Sequence, residues 1–124
     1  MVRAEEDFDV ATNEMARGDK APFATIAFLS QQCIEKYLKA LLVLHAVEFE
    51  KTHDLEILLG MVPPSVGLKL AVVDMVTLGP YAIEGRYPGS WDPPTRQEGE
   101  AAYGIARKSR EAIRLLLPQT ALIS

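Results

Sequence analysis

The stretch FATIAFLSQQCIEKYLKALLVLHAV, residues 23 to 47, decides the fold. It has no interior Gly or Pro and follows Pro22, which suits the first turn of a helix. Its apolar positions Phe23, Ile26, Ala27, Phe28, Leu29, Cys33, Ile34, Tyr37, Leu38, Leu41, Leu42 and Leu44 cover more than one face. A helix with that pattern is packed on several sides. The polar remainder is narrow: Gln31, Glu35 and Lys39 follow one another at steps of four, and Gln32 and Lys36 form a parallel row. They predict a thin polar seam along an otherwise buried, central helix two.

On the N-terminal side, residues 2 to 17 place Ala4, Phe8, Ala11, Thr12 and Met15 at helical spacing, and Gly18 supplies the stop of helix one. Downstream, Thr52 suits the N-cap of a short third helix, His53 to Val62, with Asp54 and Glu56 in its first turn and Pro63-Pro64 beyond it. Ser65 suits the cap of helix four, whose stripe Leu68, Ala71, Val72, Met75, Val76 and Leu78 runs to a kink or stop at Gly79-Pro80. The run GRYPGSWDPPT, residues 85 to 95, blocks regular structure and holds the single Trp91. Thr95-Arg96-Gln97-Glu98 is a capping-box pattern, after which Ala102, Ile105, Ser109, Ala112, Ile113 and Leu116 carry helix five to Pro118. No segment alternates with a period of two, so no sheet is expected. The architecture predicted is all-α: an up-and-down antiparallel four-helix bundle with an additional short helix, five helices in one domain over residues 1–124.

Composition narrows the function. A chain of 124 residues builds one core, and 48% hydrophobic with 24% charged residues is the balance of a globular domain, not a disordered one. A net charge of −4 argues against a generic electrostatic clamp on nucleic acid, which draws on many Lys and Arg. Cys33 is the lone cysteine, so no internal disulfide forms. The opening MVRAEEDFD lacks the apolar core of a signal peptide, and no apolar run reaches membrane-spanning length. A cytoplasmic protein with no membrane contact is expected. No Gly-rich phosphate loop, zinc constellation or Ser-His-Asp set is visible, so no metal or cofactor is expected.

Three segments in order, QQCIEKYLKALL (31–42), THDLEILL (52–59) and YAIEGRYPG (81–89), resemble the HEPN family, the higher-eukaryote and prokaryote nucleotide-binding domain. The resemblance covers nearly the whole chain. It implies a five-helix up-and-down bundle, commonly a homodimer, and in many prokaryotic members a partnership with a minimal nucleotidyltransferase in toxin-antitoxin pairs. Many members are metal-independent ribonucleases whose signature is an Arg followed, after four to six residues, by a His. Cleavage through the 2′-hydroxyl needs a proton acceptor and donor and a fixed cation, which His and Arg supply. Here Arg86 matches by context, but Trp91, Asp92 and Pro93 stand where the His would fall. Neither His45 nor His53 lies at that distance after any Arg, so only the Arg carries over. The Arg-Tyr-Pro run resembles that of nucleotidyltransferase-associated members.

Each candidate residue has a structural alternative. Arg86 either binds a phosphate or ties down its loop through Glu84 or Asp92. Tyr87 and Trp91 either stack on a base or pack the loop onto the bundle. His53, next to Asp54, is an acid/base group, an anion ligand, or a capping and packing residue. Gln32 and Lys36 either complete a pocket with His53 and Arg86 or satisfy the loop or a dimer contact. Arg107, Arg110 and Arg114 form either a basic strip for RNA or a salt-bridged face. The expectation is a homodimeric binding and assembly module for a nucleotide, RNA or nucleotidyltransferase partner. The alternative is an atypical metal-independent ribonuclease using Arg86 with His53. Both place the Arg-Tyr-Pro bend beside the seam of helix two.

Overall fold

The computed structural model describes residues 2–83 and 93–122, and every described element is helical. Helix α1, Val2–Met15, buries Ala4 and Ala11 completely and ends at Gly18, whose φ of +65° opens a 3-10 turn over Gly18–Lys20. Helix α2, Phe23–Leu44, buries Ile26, Ala27, Cys33, Ile34, Tyr37, Leu38, Leu41 and Leu42. It stops three residues before the expected Val47 because the chain turns back on itself. The Ala46 N–H bonds to the Val43 carbonyl at 3.0 Å and the Val47 N–H to the Leu42 carbonyl at 2.9 Å. This is a Schellman closure with Ala46 in the left-handed region, φ +56°.

The next elements begin later than the sequence suggests. Helix α3 spans Leu55–Met61 and is capped by Asp54, not Thr52. The Asp54 carboxylate accepts from the N–H groups of Glu56 and Ile57, while Thr52 Oγ1 accepts from the Asp54 N–H one step earlier. Pro64–Val66 make only a 3-10 turn, closed by Gly67 at φ +76°. Helix α4 therefore runs from Val72 to Leu78, shorter than the stripe from Ser65. Pro80 converts its end into a 3-10 turn, Gly79–Ala82, that buries Tyr81.

Helix α5, Arg96–Arg114, opens on the expected capping box. Thr95 Oγ1 accepts from the Glu98 N–H at 3.2 Å, and Glu98 Oε1 accepts from the Thr95 N–H at 2.9 Å. A four-residue α6, Gln119–Leu122, was not anticipated.

Two pairs of contacts fix the bundle. Gly99 of α5 lies against Phe23, and Arg114 bonds to Tyr37, so α2 and α5 run side by side in one direction. Glu5 meets Arg110 and Thr12 meets Tyr103, so α1 runs against them. The return leg between α2 and α5 is built from α3, α4 and their turns, which completes the up-and-down order around α2. Small residues on α5, Gly99, Ala102, Ala106 and Ser109, are all buried and let its backbone approach α2 closely. Among the described residues, no helix is long and apolar enough to cross a membrane.

Candidate functional site

Glu35 is the one charged side chain that is buried among the described residues, 4% exposed. A carboxylate out of water is costly unless donors surround it. Lys39 and Gln31, one turn away on either side, donate to its oxygens at 3.1 and 3.3 Å. The third donor comes from the start of α3: His53 Nδ1 lies 2.9 and 3.0 Å from the two oxygens. Gln31 Nε2 also donates to the His53 carbonyl at 3.0 Å, and its own oxygen accepts from Gln32 Nε2 at 2.7 Å. His53 is thus held at ring and backbone by the middle of the central helix.

Facing a carboxylate, Nδ1 carries a hydrogen and donates it, so in the neutral ring Nε2 keeps its lone pair. The ring is 60% exposed and borders a cleft of about 360 Å³. The start of α3 contributes His53, Asp54 and Glu56 to this cleft; α4 and its turn contribute Met75, Val76, Gly79, Pro80 and Ala82. Among the described residues, no group of three or more His, Cys, Asp or Glu is arranged to hold a metal ion.

The expected site residues divide. His53 and Asp54 share the cleft; Gln32 does not line it but donates to Gln31, which holds the His53 carbonyl. Lys36 does not join them: it turns to α1 and pairs with Asp7 at 2.5 Å. Arg86 and Tyr87, together with Trp91, lie outside the described residues, as does the placement of their bend beside the seam. Glu35 and Gln31 were seen in the sequence only as part of the seam. The available signal was an acid and an amide one turn apart on a rod with almost no other polar positions.

A second polar cluster locks α1 onto the other long helices. Glu5 receives Arg110 Nε at 2.7 Å and Arg114 Nη1 at 3.1 Å, and Tyr37 donates to the same carboxylate. The hydrogen bond from Arg110 holds the Glu5 carboxyl below its ordinary range against the opposing effect of burial. Burial first, and the Glu5 carboxylate second, push the Tyr37 hydroxyl up to about 12. Arg107 pairs with Glu111 at 3.7 Å, so all three arginines of the suspected basic strip have acidic partners. The strip is a salt-bridged face.

Comparison with known proteins matches this architecture. No curated protein matches the chain. Among solved structures, the crystal structure of an archaeal HEPN homologue superposes with a TM-score of 0.69 at 21% identity, covering 93% of each chain. At that identity the likeness concerns the fold. The model of the HEPN domain family matches residues 1–116, a span that takes in the seam of α2, the start of α3 and nearly all of the bundle. On that match over most of its length, the chain belongs to the HEPN domain family.

Proposed function

We propose that the chain is a cytoplasmic binding and assembly module of prokaryotic type. It homodimerises, takes a nucleotide or a segment of RNA at the His53 cleft, and works beside a minimal nucleotidyltransferase in a toxin-antitoxin-like pair. The observation that carries the reading is the cleft itself. It has an apolar wall from α4 and a polar edge from α3, within the ~300–1,000 Å³ range of small-molecule sites. Val72, Val73 and Val76 on α4, 58%, 68% and 49% exposed, support a macromolecular partner beside it. By the family resemblance, Arg86 would meet a phosphate and Tyr87 a base.

Sedimentation at micromolar concentration tests the assembly, and amide chemical shifts recorded while adenosine 5′-monophosphate is titrated in test the binding. A dimer is expected, with saturable shifts at His53–Glu56 and Met75–Ala82. A monomer throughout sinks the assembly claim; unmoved shifts sink the binding claim.

The Glu35–His53 pair favours a second reading, an atypical metal-independent ribonuclease, because a carboxylate-held imidazole is suited to proton transfer. Labelled RNA incubated with the wild type, Arg86→Ala and His53→Ala decides it. Equal background cleavage by all three removes the enzyme.

A further inference from the structure

We infer that the polar edge of the His53 cleft recognises hydrogen-bond donors, specifically the ribose hydroxyl pair of a nucleotide, and that buried Glu35 acts as the positioning residue that makes this possible. The inference rests on the binding reading above and names the part of the ligand that the described residues meet. Its basis is the hydrogen-bonding character of that edge. His53 Nδ1 is committed to Glu35, so the neutral ring turns only an acceptor, Nε2, to the ligand. Asp54 uses Oδ1 to cap α3, and Glu56 makes no ion pair with another described residue. Lys39 is held by Glu35, and no Lys or Arg is among the described residues that line the cleft. With the ring neutral, the described edge therefore offers three acceptor groups, the His53 Nε2 and the carboxylates of Asp54 and Glu56.

A phosphate placed there would meet like charge, whereas hydroxyl groups would each find a partner. The opposite wall of Met75, Val76 and Pro80 offers a ring surface for a base and nothing to a small cation. A nucleoside lying with its base on α4 and its sugar edge on α3 uses both walls, and its phosphate then points away from Asp54 and Glu56. Glu35 enters because a ring free in water favours hydrogen on Nε2, which would turn a donor toward the hydroxyls. A buried carboxylate at Nδ1 imposes the other tautomer.

Two measurements on the full chain test the inference. Long-range nitrogen–proton spectra of the imidazole report the tautomer directly. The expected result is Nδ1–H with a bare Nε2 in the neutral ring of the wild type, and a shift toward Nε2–H in Glu35→Gln. An Nε2–H wild-type ring overturns the positioning role without recourse to any variant.

The second measurement is calorimetric titration with adenosine 5′-monophosphate and its 2′-deoxy and 2′,3′-dideoxy forms. The ribonucleotide is expected to bind about three- to tenfold tighter than the dideoxy form, the worth of one or two hydrogen bonds. That ratio should fall toward one in His53→Ala and in Glu35→Gln. Equal wild-type affinity for all three nucleotides overturns the inference and leaves the binding reading standing. Absence of binding by any of them overturns both.

Discussion

Ala46 holds a left-handed backbone in the closure of α2, a conformation that costs an L-residue about 1–2 kcal/mol and glycine almost nothing. The closure forms because Leu42 is buried in the core and Val47 is packed against it, which offsets the strain. Ala46→Gly is expected to stabilise the chain by about 0.5–1 kcal/mol after allowing for the greater freedom of an unfolded glycine, read as a higher midpoint in urea. A lower midpoint would mean that the strain is compensated locally. The same residue explains why the sequence does not show the end of the central helix: alanine carries no mark of a stop. Cys33 lies at the other extreme. Completely buried, with its thiol pushed up to about 12 chiefly by burial, it is a core residue and not a nucleophile.

Along α5, the sequence of small residues sets how close two rods can lie. A Cβ added at Gly99 would stand 2.7 Å from Phe23 Cδ1 and 2.8 Å from its Cβ, whereas one at Gly104 meets nothing within 4 Å. Gly104→Ala is expected to stabilise by about 1 kcal/mol through helix propensity alone. Gly99→Ala makes the same propensity gain but forces α2 and α5 apart, for a net loss of about 1 kcal/mol or more in thermal or urea unfolding. Equal gains from both variants would contradict the close approach. This contrast also shows what the sequence conveys at this scale. Capping box, apolar stripes and the Gly18 stop are local features, so α1, α2 and α5 were legible. The end of α4 at Gly79-Pro80 was legible as well, but its start was not, because a 3-10 turn closed by Gly67 in the left-handed region precedes it despite the apolar periodicity there. The seam was legible as a polar line, but which row meets α3 depends on the rotation of α2. That rotation is set by burial of Tyr37 and Leu38 and sends Glu35 to His53 and Lys36 to Asp7.

For the molecule as a whole, the Glu5–Tyr37–Arg110–Arg114 cluster joins three long helices and makes stability depend on pH at both ends. Glu5 holds fewer protons folded than unfolded, so its contribution is in place above its ordinary value near 4.5 and fades as pH falls through the lowered folded value. Tyr37 retains its proton longer when folded. Its contribution is therefore in place below its ordinary value near 10 and is lost as pH rises toward about 12. Urea midpoints measured across this range should fall on both limbs. Glu5→Gln should flatten the acid limb and Tyr37→Phe the alkaline one; limbs unchanged by either variant would remove the cluster from the account.

The Glu5–Arg110 contact spans 105 positions of chain. On a ribosome, which makes the chain from its amino end, the first helix is finished long before its guanidinium partner exists. Until α5 emerges, α1 and the return leg of α3 and α4 are the only partners of α2, and the apolar side of α2 meant for α5 stays open to water or to chaperones. The closing step of biogenesis is thus assigned to the last long helix.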